Sequence, residues 1–275
     1  MWKLDPAVLS LAPWSPSMAD LAIECPHAFH RKYIAKEAEV EAKGDAASIG
    51  TLVHRILEWT LRTNQPMGLD AAFKHAFEAL EPPYEVYLQA RTYRDAIKDF
   101  LVGIDRYKEK FKVAQSFTEY KLALTPEFTR GEYSGKESRR PLVRGIADYL
   151  VITESGSVAI FDHKTGAVKP ISMYGSQELV YNVCIDAMLP GVKYTRLGIH
   201  YVGADPNTGG GRTVWAPEYP VEAVRTHLRQ KLVDYLNRAA QAAQGDAPHK
   251  SWRCNYCGYR SVCPLHRQQA QAGGG

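Results

Sequence analysis

One predicted strand carries an acidic and a basic side chain where only apolar residues are expected. In SVAIFDHKTG, residues 157–166, the two-residue period of a strand puts Asp162 and Lys164 on the same face as Val158 and Ile160. A carboxylate and an ammonium at the end of an apolar strand need a partner or a metal ion. The simplest alternatives are an ion pair between Asp162 and Lys164 and a charged strand end in water.

A second strand shows the same interruption. In LVRGIADYLVI, residues 142–152, the lone carboxylate of Asp148 breaks an apolar run three residues after Gly145. Two adjacent strands that each end in an inward carboxylate offer oxygen ligands to a hard divalent cation. The sequence therefore favours a cation site where these two strands end.

Two predicted helices add further polar candidates. His54 lies on a helix of apolar period in GTLVHRILE, one turn after Gly50, where the missing side chain lets a ligand or another backbone approach. Gln177 and Tyr181 stand at i and i+4 on the helix that follows the Asp162 strand. Taken singly, His54 fits a core histidine, and Gln177 and Tyr181 fit a helix surface.

Together these segments resemble the PD-(D/E)XK nuclease superfamily, in its RecB-like branch. The resemblance covers residues 50–181 and rests on four short motifs in the family's order: GxxxH (50–54), GxxD (145–148), DxKTG (162–166) and QxxxY (177–181). It implies a restriction-endonuclease-like α/β core, in which a mixed central β-sheet is flanked by helices.

The resemblance also implies a role for each residue. Mg²⁺ or Mn²⁺ would be bound by His54, Asp148, Asp162 and the carbonyl of His163. Lys164 would orient or deprotonate the attacking water, and Gln177 and Tyr181 would hold the DNA strand near the scissile phosphate. An imidazole among oxygen ligands favours Mn²⁺ activity at least equal to that with Mg²⁺. Glu119 is either a residue that supports the metal ligands or a plain charge on an exposed strand.

The cysteines suggest a second metal site. Cys254, Cys257 and Cys263 form C-x2-C-x5-C, and three thiolates need a fourth ligand. A single early cysteine followed much later by this spacing resembles the iron-sulfur nucleases, which include the AddB nuclease domain and the CRISPR-associated adaptation exonuclease. That resemblance extends to residues 18–266 and implies a [4Fe-4S] cluster completed by Cys25. Tetrahedral zinc is the chemical alternative, and Cys184 reads as core.

The apolar periods predict one domain, residues 1–275, in three parts. Residues 18–112 form an N-terminal helical cap with Cys25 and His54, residues 113–220 form the nuclease core, and residues 221–267 form a helix and a cysteine-rich iron-sulfur segment. Helices are expected at about 17–80, 84–111, 175–188 and 221–243, and the strands lie between the second and the last of them.

The composition is that of a globular protein. The chain has 275 residues, of which 45% are hydrophobic and 23% charged, with a net charge of +4. These values exclude a disordered chain and a coiled-coil rod. The sequence lacks a run of roughly 18 apolar residues and a signal peptide pattern at its start, so we expect a cytoplasmic protein without a membrane association. An odd number of cysteines favours metal ligands or free thiols over disulfides.

Two segments are candidates for DNA contact. Residues 250–267 contain four basic residues and no acid, interleaved with Trp252, Tyr256 and Tyr259; they either bind a strand or neutralise the thiolates of a cluster. Residues 129–144 read as a basic hairpin loop near the site or as a solvated loop.

The leading functional hypothesis is a metal-dependent DNA exonuclease that acts on single-stranded ends, with 5′ to 3′ polarity favoured by the resemblance, in recombination, repair or phage DNA processing. The alternatives are a CRISPR spacer-processing nuclease and a non-catalytic DNA-binding subunit of a helicase-nuclease complex. A helicase, an annealing protein or an integrase is the expected partner. The sequence has no GxxxxGK[ST] motif, so any ATP-driven motor must come from another protein.

Overall fold

A computed structural model describes residues 3–40, 45–135, 140–203 and 211–266. Helices form the first third of the chain. They are α1 (Pro6–Leu11), α2 (Pro16–Glu24), α3 (Pro26–Phe29) with a π turn at His30–Ile34, α4 (Asp45–Leu61), α5 (Leu69–Leu80), α6 (Tyr84–Arg91) and α7 (Arg94–Lys110). The predicted helix over 84–111 is in fact two helices, because the chain turns at Thr92 and Tyr93.

The remaining elements alternate between strands and helices. They are β1 (Val113–Leu124), β2 (Val143–Thr153), β3 (Ser157–Lys164), α8 (Gly175–Met188), β4 (Tyr194–Tyr201), β5 (Arg212–Trp215), β6 (Tyr219–Pro220), α9 (Val221–Ala223), a π turn at Val224–Leu228 and α10 (Arg229–Ala242). Short 3-10 turns at Ile171–Tyr174, Trp252–Tyr256 and Arg260–Val262 complete the described chain.

The strands form one mixed sheet in the order β1-β2-β3-β4-β5, and β6 pairs with β4. Neighbouring strands are antiparallel except for β3 and β4, which are parallel. A parallel pair needs a crossover connection, and α8 supplies it. The predicted mixed α/β sheet with flanking helices is confirmed.

Helices cover both faces of the sheet. Apolar residues of α1, α2, α8 and α10 bury one face, and those of α4 to α7 bury the other face together with Tyr149 and Phe161. Alternate residues of β2 and β3 therefore enter different cores, so both strands read as nearly continuous apolar runs. Three layers result, with the polar ends of β2 and β3 between them.

The N-terminal helices pack against α10, far away in sequence. Pro6 and Pro16 begin α1 and α2, and the side chains of Asp5 and Ser15 cap them. The backbone N–H of Asp5 donates to Asn237 Oδ1 at 2.9 Å, and Tyr235 in α10 donates to Asp20 in α2 at 2.7 Å. No helix in the described part of the chain is long and apolar enough to cross a membrane.

Candidate active site

Asp148 lies where β2 and β3 separate. The antiparallel pairing of these strands ends at Tyr149 and Phe161, which leaves Asp148 opposite Asp162. Instead of a backbone carbonyl, Asp148 Oδ2 accepts the N–H of His163 at 2.6 Å. The carboxylate therefore takes the place of a ladder hydrogen bond at the open end of the two strands.

The imidazole of His54 faces Asp148 from α4. His54 Nδ1 is 3.4 Å from Asp148 Oδ2, and its side chain is about one-third exposed. Burial raises the pKa of Asp148, but the neighbouring His54 and the N–H of His163 outweigh burial and lower that pKa to about 2. Burial lowers the pKa of His54, but Asp148 outweighs it and the net shift is upward. Each group thus favours the charged form of the other.

Asp162 is 4% exposed and has two protein partners. Gln177 Nε2 donates to its Oδ1, and the ammonium of Lys164 pairs with its Oδ2. Burial raises the pKa of Asp162, Lys164 lowers it, and the charge of Asp148 raises it again, so the net shift is upward. The predicted ion-pair alternative for Asp162 and Lys164 is therefore present in this structure, alongside a second buried carboxylate.

Gln177 and Tyr181 project from one face of α8, as their spacing predicts. Gln177 Nε2 also donates to the hydroxyl of Tyr181 at 3.0 Å, and that hydroxyl donates to the carbonyl of Ile146 at 2.6 Å. Tyr181 is 5% exposed, so its ring faces the core. Its hydrogen bonds indicate that Tyr181 holds Gln177 in position against β2.

The glycines of two motifs each make room for a specific neighbour. A Cβ at Gly145 would lie 2.7 Å from Cε1 of Tyr181, so the GxxD glycine lets the tyrosine ring lie flat on β2. A Cβ at Gly50 would lie 3.3 Å from Oγ1 of Thr165, which follows Lys164. The motifs are thus coupled by packing: helix α4 approaches the end of β3, and helix α8 approaches β2.

A cavity of about 430 Å³ opens beside Asp148 and His54. Glu119 and Glu58 line it, and Glu58 stands at i+4 from His54 on α4. Glu119, with φ at +50°, and Asp148 both lie between the paired positions Thr118–Tyr149 and Tyr120–Ala147 of β1 and β2. Burial raises the pKa of Glu119, and the charges of Asp148 and Glu58 raise it further. Glu58 was not among the residues predicted from the sequence, although its i+4 spacing from His54 places it on the same face of α4.

The side chain of His163 packs among the rings of Phe100, His200 and His54. It is fully buried, its ring centroid is 5.1 Å from that of Phe100 and 5.5 Å from that of His200, and neither ring nitrogen has a hydrogen-bond partner within the described residues. Burial lowers the pKa of His163 to about 3, so the ring is neutral. His163 therefore contributes only backbone atoms to the site.

The two buried carboxylates suit a divalent cation. The charge of each carboxylate disfavours ionisation of its neighbour, and a cation between them would relieve that repulsion. Residues 3–40, 45–135, 140–203 and 211–266 contain no group of three His, Cys, Asp or Glu side chains placed closely enough to hold a metal as they stand. Asp162 instead contacts Lys164 and Gln177, so one of these two side chains would have to move before a carboxylate oxygen of Asp162 could bind a metal.

Four cysteines gather where the N- and C-terminal segments meet. Cys25, Cys254, Cys257 and Cys263 are all free thiols. Burial raises the pKa of Cys257, the N–H of Tyr259 lowers it, and the thiols of the other three cysteines raise it again. The thiols are thus electrostatic neighbours, but within the described residues no three of them lie closely enough to hold a metal as they stand. Cys184 is fully buried in α8, as predicted, and burial raises its pKa to about 12.

Comparison with known proteins gives one family match. The family model described as PD-(D/E)XK nuclease superfamily matches residues 13–264. Among solved structures, that of SSO0001 is similar at a TM-score of 0.40 and 13% sequence identity, covering 94% of this chain and 90% of that chain. No curated protein matches the sequence. The family match spans nearly the whole chain and includes all four motifs, so this protein belongs to the PD-(D/E)XK nuclease superfamily and is a nuclease, a class of phosphodiester hydrolase that typically uses Mg²⁺ or Mn²⁺.

Proposed function

We propose that this nuclease is a metal-dependent exonuclease that degrades single-stranded DNA from its ends, 5′ to 3′. The observation that carries the proposal is the meeting of His54, Asp148, Asp162 and Lys164 where the pairing of β2 and β3 stops. These residues come from α4, β2 and β3, and their side chains combine two carboxylates, an imidazole and an ammonium. That combination suits phosphodiester hydrolysis, because it offers both metal ligands and a group for the attacking water.

The metal ligands would be His54, Asp148, Asp162 and the carbonyl of His163. When bound, Mg²⁺ or Mn²⁺ supplies positive charge beside the scissile phosphate and acidity for a water molecule. Lys164 lies against Asp162 and is about one-third exposed, so its ammonium can reach a water at the mouth of the site. Gln177 holds Asp162 in place, and Tyr181 in turn holds Gln177.

The cysteines would hold a [4Fe-4S] cluster, with Cys25, Cys254, Cys257 and Cys263 as ligands and zinc as the alternative occupant. The coupling of Cys257 to the other three thiols supports this assignment. A link between Cys25 and Cys254 closes a loop of about 230 residues, and the loop-closure relation used for disulfides gives a stabilisation on the order of 5 kcal/mol. The cluster is therefore proposed as a structural staple between the two ends of the described chain.

The staple also supports exonuclease action. It would tie α2 and the C-terminal segment together beside α8, so that a strand reaches Lys164 most easily by its end. We place the enzyme in recombination, repair or phage DNA processing, on cytoplasmic DNA, with a helicase or an annealing protein as partner. A role in CRISPR spacer processing beside an integrase uses the same residues. The intact set of His54, Asp148, Asp162 and Lys164 disfavours a non-catalytic subunit.

The test compares linear single strands labelled at the 5′ or 3′ end with a closed single-stranded circle of equal length, in Mg²⁺ and in Mn²⁺. We expect loss of the linear strand, release of the 5′ label first, and a circle that is cut much more slowly. Equal cutting of circle and line would make the protein an endonuclease, and early release of the 3′ label would reverse the polarity.

Variants identify the residues that perform the reaction. Asp162→Asn and Lys164→Met should each abolish cutting, because they remove a metal ligand and the ammonium beside the water. The matched controls are Asp95→Asn and Lys74→Met, whose side chains are 91% and 78% exposed on α7 and α5. An Asp162→Asn protein as active as its Asp95→Asn control would refute the site.

A further inference from the structure

An exposed indole stands among cations beside α8. Trp252 is 50% exposed and begins the 3-10 turn that also contains Cys254. Lys169 Nζ lies 5.3 Å from its ring centroid, and the guanidinium of Arg253 lies 5.0 Å away. Tyr256, which is 83% exposed, is 6.5 Å from the indole between ring centroids. A half-exposed indole beside cations is an arrangement on which proteins stack unpaired bases, once a base takes the place of a cation on the ring.

The indole lines a cleft of about 690 Å³ bounded by α2, the first turn of α8 and α10. Lys231 and Arg238 of α10 also line this cleft. Within the described residues neither of them forms an ion pair, and neither does Lys169. These cations are therefore available to phosphates.

The cleft also contains acids, and each already has a protein partner. Asp20 accepts hydrogen bonds from Ser176 and Tyr235, both at 2.7 Å. Glu24 pairs with Arg253, and Asp234 accepts from Gln230 at 2.7 Å. Only Glu24 is paired with a cation, and Asp20 and Asp234 keep their negative charge because their donors are neutral; the groups of the cleft that can attract a nucleic acid are therefore Lys231, Arg238 and the indole of Trp252.

A chain of contacts joins the cleft to the candidate active site. The backbone N–H of Lys169 donates to the hydroxyl of Tyr201 at 2.9 Å, and that hydroxyl lies 3.0 Å from the hydroxyl of Tyr174. The ring of Tyr174 in turn lies 5.9 Å from Nζ of Lys164, and Gly175, the next residue, lines the cleft. The cleft and Lys164 are thus connected by a short chain of contacts through the hydroxyls of Tyr201, which is buried, and Tyr174.

We propose that a single DNA strand lies along this cleft on its way to Lys164, with one base stacked on Trp252 and its phosphates bound by Lys231 and Arg238. This inference rests on the proposed nuclease function and assigns its substrate path. A duplex fits this cleft less well, because its bases are already stacked on one another and present no free face to an indole.

The test measures binding without cleavage. In a Lys164→Met background, fluorescence anisotropy follows a labelled oligothymidine as it binds to the full chain. Trp252→Ala should weaken binding by between about 5- and 150-fold, the range found for one lost stacking contact, and Trp252→Phe should restore most of it. Tyr84→Ala, which removes a 61% exposed ring from α6, is the control and should leave affinity unchanged.

Salt and duplex arms complete the experiment. Lys231→Gln and Arg238→Gln should each reduce the slope of log affinity against log salt by about 0.7, the value for one phosphate contact on a single strand. Trp252→Ala should leave affinity for a blunt duplex of equal length unchanged. Unaltered oligothymidine binding by Trp252→Ala, or equal loss for strand and duplex, would overturn the proposal. If the wild-type protein cuts DNA and Trp252→Ala gives either of these results, only the proposed strand path is refuted. If the wild-type protein cuts no DNA, the nuclease function is refuted.

Discussion

Replacement of Gly145 by alanine tests the packing that couples two motifs. The new Cβ would lie 2.7, 3.4 and 3.7 Å from Cε1, Cδ1 and Cζ of Tyr181. Carbon atoms pack best at about 3.5–4.0 Å, so the closest contact is too short by about 1 Å. The ring cannot swing away freely, because its hydroxyl is bound to Ile146 and to Gln177.

Two costs add to give the expected loss of stability. Overpacking of a filled core costs about 1–3 kcal/mol, and a hydroxyl pulled off its carbonyl costs about 1 kcal/mol more. We therefore expect Gly145→Ala to lower the free energy of unfolding by about 2–4 kcal/mol. Nuclease activity should fall as well, because a displaced Tyr181 releases Gln177 and thereby frees Asp162 to leave its position.

Urea unfolding at neutral pH measures the first effect, and an assay with single-stranded DNA measures the second. The control is Gly103→Ala in α7, where an added Cβ meets no atom within 4 Å. That change should raise stability by about 0.5–1 kcal/mol, because alanine is the better helix former. The coupling argument fails if Gly145→Ala unfolds at the wild-type urea concentration and retains full activity.

Four further predictions concern titratable groups and thiols. Without metal, the pKa of Asp148 is about 2, against an ordinary value of 3.8. Its ionisation therefore adds up to about 2 kcal/mol to the free energy of unfolding above pH 4, and this contribution is lost as pH falls toward 2. Asp148→Asn should remove this pH dependence from urea midpoints measured over the same range. The raised pKa of His54 gives stability that is complete below pH 6.5 and lost as pH rises through its folded-state value, so His54→Gln should be most destabilising between about pH 4 and 6.5. Cys25→Ser should lose most of the iron found by elemental analysis, whereas Cys184→Ser should retain it, and one zinc per wild-type chain would reject the iron assignment. Native Cys184 should resist iodoacetamide at pH 8, because its pKa of about 12 leaves almost no thiolate, and rapid labelling there would contradict its burial.

Much of the fold could be predicted because the pattern of apolar residues in the central strands matches their burial in the structure. The runs that contain Asp148 and Asp162 read as buried strands, and both are strands in the structure. The expectation that each strand ends in its carboxylate is wrong for Asp148, which lies in the middle of β2, where the pairing with β3 stops and the pairing with β1 continues. His54 could be singled out from one apolar stripe on α4 and its distance from Gly50. These signals are local in the sequence, and the residues form one site because β2 and β3 are neighbours in the sheet.

Other features depend on contacts that no local pattern encodes. Gly145 looks like a turn residue, yet its role comes from a ring 36 positions later on another element. The i and i+4 spacing put Gln177 and Tyr181 on one face of α8 but could not show that this face meets Asp162 instead of solvent. Glu119 shows no anomaly in sequence, and its positive φ became visible only in the structure. The cleft around Trp252 gathers residues from three helices that are far apart in the chain.

The packing of α1 and α2 on α10 has a consequence during protein synthesis. The partners Asp5 and Asn237 are 232 residues apart, and Asp20 and Tyr235 are 215 apart. At ribosomal rates of about 5–20 residues per second, the first two helices wait roughly 10–45 seconds for their partner, with Val8 and Trp14 uncovered. Helix α10 also packs on α8, which carries Gln177. Because α10 packs on both α2 and α8, the surroundings of Gln177 become complete only after α10 has been synthesised.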